Sequence, residues 1–209
     1  MTGRIIETDA DVAEGADWLA ANHPPFARAL AQTGPLPLRR RPGGFANLLN
    51  AIIGQQVSTA SADAIWERMC NAGLTEAAAV AAAGDEALRA CGLSRQKIAY
   101  AQALAASGVD YNALQSLPDR EVVETLIAIK GIGRWTAEIY AMFSLGRADV
   151  FAPGDLALQE AARQLLNLPN RPTERQLRVM AADWSPWRGV AARALWAYYR
   201  VLKNREGIR

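Results

Sequence analysis

The residues best suited to chemistry lie in two short stretches in the second half of the chain. In AIKGIGRW, at 128–135, Gly131 and Gly133 stand between two apolar runs. In ADVFAPGDLALQ, at 148–159, a Pro-Gly pair is followed by Asp155. Backbone free of side chains can accept a close phosphate, and a fixed carboxylate can stabilise positive charge in a transition state. The two stretches therefore indicate a phosphate anchor and a separate reaction centre.

The glycine stretch is typical of a hairpin between two helices. Each glycine inside a helix costs about 1 kcal/mol relative to alanine, so two within three residues favour a tight turn. The first N–H groups of the following helix then lack intrahelical partners and can bind a phosphate. An ordinary helix–helix turn fits these residues equally well. Further phosphate contacts are expected from Lys130, Arg134 and the hydroxyl of Thr136.

Asp155 has two interpretations. It can be the N-cap of a helix that begins LALQEAARQLL, because aspartate is a preferred cap. It can also be a carboxylate that acts beside a developing cation. The two roles are compatible, because the positive end of a helix stabilises a negative charge at its N-terminus.

Cysteine and histidine chemistry is poorly supported. Only Cys70, Cys91 and His23 are present, which cannot form a disulfide framework or a Cys/His metal cluster. His23 lies in NHPPF, a turn-like context, so catalysis by a Ser-His-Asp or Cys-His arrangement is not expected.

The charge distribution favours a polyanionic partner. The net charge is +2, but residues 156–209 carry ten Lys/Arg against four Asp/Glu, whereas residues 1–155 carry thirteen against seventeen. Arginines that merely solvate helix faces are the alternative. No apolar run reaches the roughly 18 residues of a membrane span, and the N-terminus lacks a signal-peptide pattern. We expect a cytoplasmic protein, associated with the nucleoid if the source is bacterial.

The hydrophobic spacing predicts an all-α fold, since no alternating β pattern stands out. The segment 33–44, TGPLPLRRRPGG, cannot continue a helix and reads as a connector. Candidate N-caps are Ser58, Thr75, Ser94, Thr173 and Ser185, the last with Pro186 at the first helical position. The predicted helices are 9–22, 24–33, 44–55, 58–71, 75–83, 85–91, 94–107, 119–128, 134–145, 156–166, 173–183 and 186–203.

Four stretches together resemble the helix-hairpin-helix (HhH-GPD) superfamily of DNA glycosylases. They are the hairpin in VVETLIAIKGIGRWTAEIYAMFSL at 122–145, the loop at 148–159, AIIGQQVSTASADAIW at 51–66 and WSPWRGVAARALW at 184–196. Trp135 and Asp155 are 20 positions apart, as expected in that family. The resemblance covers residues 44 to 200, and within the superfamily it points to the alkylpurine DNA glycosylases of the 3-methyladenine DNA glycosylase II type, in a short form.

The resemblance implies the chemistry of the site. Asp155 would be the catalytic carboxylate that stabilises the oxocarbenium-like transition state. Relatives that also cut the strand have a lysine nucleophile where this chain has Trp135. The chain is therefore expected to be a monofunctional glycosylase that leaves an abasic site. It lacks the four-cysteine iron–sulfur loop of some relatives, and no cofactor is expected.

The resemblance also implies a pocket for a flat, cationic base, lined by Trp135 and Trp196, with Tyr140 as a weaker candidate. One bacterial family member has a tyrosine at the slot of Ile139, whereas the aromatic residue here comes one position later, about 100° around a helix.

Base flipping requires a side chain that fills the gap in the duplex. Gln56 aligns with the intercalating residue of the family, and Gln55 precedes it. Both glutamines could instead be helix-end residues that bond to the backbone. The family also suggests a monovalent cation, Na⁺ or K⁺, held at the hairpin by the main-chain carbonyls of Ile127, Ile129 and Ile132.

The expected architecture is a two-lobed helical fold with its active-site cleft between the lobes. Residues 44–147 would form the lobe that carries the hairpin, and residues 1–43 with 148–209 the second lobe. The expected partner is double-stranded DNA that contains alkylated bases, bound by a monomer. A non-catalytic module that binds DNA structure, and a glycosylase for a deaminated or mismatched base, are the alternatives.

Overall fold

The computed structural model describes residues 3–205 and contains, within that range, twelve α-helices and no strand. The prediction of an all-α fold is confirmed. Two short 3-10 segments lie at Ala113–Gln115 and Ala181–Trp184, and Ile5 and Arg147 form an isolated bridge. The helices are α1 (Asp9–Asn22), α2 (Pro24–Thr33), α3 (Phe45–Ile53), α4 (Thr59–Asn71), α5 (Ala77–Ala82), α6 (Asp85–Ala90), α7 (Arg95–Ala106), α8 (Asp119–Ile127), α9 (Arg134–Phe143), α10 (Leu156–Leu165), α11 (Glu174–Met180) and α12 (Arg188–Arg205).

Local capping sets several helix starts, as the sequence predicted. The side chains of Ser58, Ser94 and Thr173 each accept a hydrogen bond from the backbone N–H three residues later. At Thr173 the side chain of Gln176 also accepts from the backbone N–H of the cap residue, which completes a capping box.

Two predicted caps are wrong. Thr75 lies in a turn, and Glu76 occupies the N-cap of α5, without a side-chain cap bond. Ser185 follows the second 3-10 segment, and α12 begins only at Arg188. The hydroxyl of Ser185 instead donates to a carboxylate oxygen of Asp149, at 2.7 Å. That partner is 36 residues away in the chain, so local sequence could not reveal it.

The chain forms two compact units, with the second boundary inside α9. The first unit comprises Arg41–Tyr140, and in it α7 packs against α3, α5 and α6. The second comprises the described residues up to Arg40 together with those from Ala141 onward, and there α12 packs against α1, α2 and α10. The predicted lobe boundaries at 43/44 and 147/148 stay a prediction.

The helices of residues 3–205 are each too short or too polar to cross a membrane. Within the same range, no three His, Cys, Asp or Glu side chains are grouped so that they could hold a metal ion.

Candidate active site

Asp155 is the N-cap of α10, which confirms the capping interpretation. One carboxylate oxygen accepts from the backbone N–H of Ala157 at 2.9 Å and from that of Leu158 at 3.1 Å. The residue is half-buried. Two N–H donors on one oxygen fix the direction of the carboxylate, which is the kind of preorganisation that electrostatic catalysis requires.

The loop before Asp155 is buried and held by its own hydrogen bonds. The backbone N–H of Asp155 donates to the carbonyl of Ala152 at 3.1 Å, and the buried side-chain amide of Gln159 donates to the carbonyl of Pro153 at 2.8 Å. Phe151 packs edge-on against Trp184, with ring centroids 5.5 Å apart. Asp155 therefore stands on a rigid support.

Asp149 fastens this loop to α12, a role that the sequence analysis missed. Its two carboxylate oxygens accept from Nε and Nη2 of Arg188, at 2.7 and 2.8 Å. Such a bidentate pair fixes both position and orientation. In the sequence Asp149 is the first of the two acidic residues of ADVFAPGD, but its partner Arg188 comes 39 residues later, so only folding brings the two together.

The hairpin joins α8 to α9 and depends on Gly131. Its φ is +98°, a value that L side chains rarely adopt. A β-carbon there would also overlap the ring of Tyr100. Gly133 differs, because a β-carbon there would have nothing within 4 Å. Close packing against Tyr100 thus requires a glycine at position 131, whereas Gly133 leaves the backbone surface open.

The predicted phosphate contacts around the hairpin differ in exposure. Lys130, Gly133 and Arg134 are exposed, whereas Thr136 is buried. Of the residues predicted to contact phosphate, Thr136 is therefore the least accessible. All these contacts stay predictions.

The backbone of the hairpin closes a local turn. The N–H of Ile132 donates to the carbonyl of Ile129 at 3.0 Å, so one of the three carbonyls proposed for the cation already accepts a hydrogen bond. Ile127 is the last residue of α8. The cation itself stays a prediction.

The two predicted DNA-contacting glutamines have different surroundings. The side-chain amide of Gln55 donates to the carbonyl of Gly131 at 3.0 Å, so it bonds to backbone as the alternative interpretation expected. Gln56 is exposed and has a left-handed backbone, with φ +56°. Only Gln56 is presented to solvent as a wedge would be, and its role stays a prediction.

The three predicted pocket aromatics are not equivalent. Trp135 is 47% exposed, and Trp196 is half-buried, with its ring centroid 5.7 Å from that of Phe143. Tyr140 is buried, and its hydroxyl accepts from the N–H of Gly44 at 2.7 Å. Burial raises the pKa of Tyr140. Trp135 and Tyr140 belong to the first unit, whereas Asp155 and Trp196 belong to the second.

A buried arginine, Arg193, packs on the ring of Phe143 that lies against Trp196, another feature that the sequence analysis missed. Arg193 donates from Nη1 to the carbonyl of Gly189 at 2.8 Å and from Nη2 to that of Leu38 at 3.0 Å. Its guanidinium lies 4.8 Å from the ring centroid of Phe143, the ring that contacts Trp196. Burial, with smaller contributions from nearby arginines, lowers the pKa of Arg193 to about 10.

We expect Arg193→Met to lower the free energy of unfolding by about 2 to 3 kcal/mol, because it removes the guanidinium hydrogen bonds to the carbonyls of Gly189 and Leu38 and the contact with the Phe143 ring. Urea unfolding of the purified variant measures this. Arg200→Met, an exposed position on the same helix, is the control and should change stability by less than about 0.5 kcal/mol. Equal stability of both variants would show that the hydrogen bonds of the Arg193 side chain contribute nothing net.

Several large apolar side chains are exposed beside the candidate residues. Isolated exposed apolar residues are common on protein surfaces. Here, however, Val57 directly follows Gln56 and Leu156 directly follows Asp155, and neither was identified from the sequence. The four large apolar side chains exposed within the described residues are Val57 at 39%, Trp135 at 47%, Leu156 at 61% and Val179 at 70%.

Comparison with known proteins supports a common origin with DNA repair enzymes. Residues 49–187 match the HhH-GPD superfamily of base excision DNA repair proteins. DNA-3-methyladenine glycosylase 1 of Schizosaccharomyces pombe is 32% identical over 174 residues, which cover 79% of this chain and 76% of the relative.

Two solved structures have the same fold. A DNA-3-methyladenine glycosidase from Bacillus halodurans superposes with a TM-score of 0.82 at 32% identity, covering 96% of this chain and 94% of the other. The 3-methyladenine DNA glycosylase Mag1 of Schizosaccharomyces pombe, in complex with abasic DNA, gives a TM-score of 0.74 at 28% identity, covering 88% and 95%. The chain belongs to the HhH-GPD superfamily of base excision DNA repair proteins.

Proposed function

We propose that this protein is a base-excision-repair DNA glycosylase that hydrolyses the N-glycosidic bond of alkylated purines, of the 3-methyladenine and 7-methylguanine type, in duplex DNA. The observation that carries the proposal is Asp155, held by two N–H donors at the start of α10 on a buried loop. Relatives named as 3-methyladenine DNA glycosylases, one of them bound to abasic DNA, support the substrate class.

The chemistry needs a fixed negative charge more than a general acid. Alkylation at N3 or N7 makes the purine cationic, so the bond from C1′ to the base nitrogen breaks and releases a neutral base. The positive charge then passes to the sugar, where Asp155 stabilises it. Water adds its oxygen to C1′ and loses a proton, which leaves an abasic site. The reaction uses only water and protein groups, so it needs no cofactor.

Aromatic faces would select the cationic base. Trp135 exposes about half of its surface and Trp196 rests on Phe143, so both indoles can present a face to a flat ligand. Stacking on a cation is worth about 0.5 to 2 kcal/mol per ring. Tyr140 contributes less in this proposal, because its ring is buried and its hydroxyl is bonded to Gly44.

The hairpin would anchor the DNA and leave the strand intact. Gly133 offers open backbone, with Lys130 and Arg134 exposed beside it. Trp135 carries no amine, so it cannot form the Schiff base that strand cleavage by this family requires. We propose monofunctional action, with Gln56 as the wedge and a monovalent cation at the carbonyls of Ile127, Ile129 and Ile132.

A lesion panel tests the proposed function. Synthetic duplexes with one 3-methyladenine analogue, 7-methylguanine, uracil or a mismatch are incubated with the protein, and products are resolved with and without alkali. We expect base release from the cationic lesions, with strand breaks only after alkali. Preferential release of uracil or a mismatched base would instead indicate another lesion class. Binding to abasic duplex with no release from any lesion would indicate a non-catalytic module.

A further inference from the structure

The turn that carries Gln56 is tied to the hairpin by side chains that the proposed chemistry does not use. The turn, Gln55–Val57, follows α3 and precedes Ser58, the cap of α4. A cavity of about 330 Å³ lies beside it, lined in part by Gln56, Lys97 and Tyr100. All of these residues belong to the first unit.

Lys97 binds the C-terminal end of α3, just before the turn. Its ammonium donates to the carbonyl of Ile53, the last residue of α3, at 2.6 Å. A cation at a helix C-terminus interacts favourably with the helix dipole and satisfies a carbonyl that has no intrahelical partner. Lys97 is half-buried, and burial lowers its pKa.

Gln55 and Tyr100 connect the same turn to the hairpin. The amide of Gln55 donates to the carbonyl of Gly131 at 3.0 Å, and the ring of Tyr100 packs directly against Gly131. The hydroxyl of Tyr100 accepts from the side-chain amide of Gln96 at 2.6 Å, which fixes the ring. Lys97, Gln96 and Tyr100 all lie on α7, so one helix supports both the turn and the hairpin.

The turn needs this support because its backbone is strained. Gln56 has φ +56°, a left-handed conformation that is unfavourable for a residue with a β-carbon. Such a conformation persists only where the flanking structure enforces it. Here the flanks are Ile53, held by Lys97, and Gln55, held by Gly131.

We propose that Lys97 is a positioning residue which, together with Gln55, fixes the position of Gln56 relative to the hairpin. The side chain of Gln56 then enters the duplex when the hairpin binds a DNA phosphate. The inference rests on the proposed function and on the wedge role of Gln56. Without Lys97 the hairpin still binds DNA, but displacing a paired base becomes harder. A base that is already unpaired does not need the wedge.

The test compares Lys97→Met on two substrates that carry the same 7-methylguanine, paired in a duplex or placed in a single-nucleotide bulge. We expect kcat/KM on the paired lesion to fall about 10- to 100-fold, and on the bulged lesion by less than about threefold. Lys97→Arg, which restores a charged donor, should recover most of the loss. Gln55→Glu, which has the same shape but cannot donate to Gly131, should repeat the pattern of Lys97→Met.

Salt dependence separates positioning from a direct phosphate contact. The slope of log K against log salt for abasic duplex should be unchanged in Lys97→Met, whereas loss of a phosphate contact would reduce it by about 0.9. Arg120→Met removes one positive charge from an exposed ion pair with Glu124 in the same unit, and it should leave the paired-to-bulged ratio unchanged.

Each contrary outcome has a distinct meaning. Equal losses on both substrates, no loss on either, or a reduced salt slope would overturn the positioning role. Failure of the wild-type protein to release base from both substrates would overturn the proposed function instead. In that case the positioning role is tested without base release, from the fluorescence of 2-aminopurine paired with thymine. The fluorescence should rise when the wild type binds the duplex and rise less when Lys97→Met binds it.

Discussion

Asp155→Asn is expected to reduce base release by at least about 10²- to 10³-fold while the protein stays folded and still binds DNA. Asparagine is as good an N-cap as aspartate, so its carbonyl oxygen can keep the bonds to the N–H groups of Ala157 and Leu158. Only the negative charge is lost. The substitution therefore removes the stabilisation of the sugar cation without removing the support of α10.

Single-turnover release of 7-methylguanine measures the effect, with affinity for abasic duplex and thermal unfolding measured in parallel. Asp183→Asn is the matched control, because it removes the same charge from an exposed position in the same unit. Asp155→Ala should in addition lose about 1 kcal/mol of stability, since alanine cannot cap. Wild-type activity in Asp155→Asn would rule out catalysis by this carboxylate.

Gly131→Ala is expected to destabilise the protein by about 2 to 4 kcal/mol. The new β-carbon would overlap the ring of Tyr100, and alanine would have to adopt φ +98°. The substitution also disturbs the carbonyl that accepts from Gln55. Urea unfolding measures the loss, and a change below about 1 kcal/mol would mean that the hairpin relaxes without cost.

Gly133→Ala is the matched variant two residues later, and it should affect DNA binding more than stability. A β-carbon there meets nothing within 4 Å. Gly133 directly precedes α9, where alanine is less favourable than glycine, so stability should fall by no more than about 1 kcal/mol. Affinity for abasic duplex should nevertheless fall about tenfold, because the methyl group occupies the surface that a phosphate would approach. Unchanged affinity would show that the phosphate does not contact the backbone at Gly133.

Local patterns in the chain account for much of what could be predicted. Helix positions follow from the spacing of apolar residues, and the caps at Ser58, Ser94 and Thr173 involve partners only three residues away. The cap at Asp155 is equally local. Interactions of this range depend on residue type and spacing, so they are visible before the chain is folded.

Contacts between distant parts of the chain could not be predicted in this way. The hydroxyl of Ser185 donates to Asp149, 36 residues away, and does not cap α12 as predicted. The hydroxyl of Tyr140 accepts from Gly44 across 96 residues, and its ring is buried. No periodicity encodes such partners, because they depend on how separate helices pack.

The sequence by itself determined the all-α class, most helix starts and the residue types from which the site is proposed. The tertiary structure decided how those residues are held: Gln55 on the hairpin carbonyl, Lys97 on the end of α3, and Arg193 behind Phe143. The physical reason is that capping and amphipathic spacing act within one or two helical turns. Support for a functional side chain comes instead from whatever element packing brings beside it.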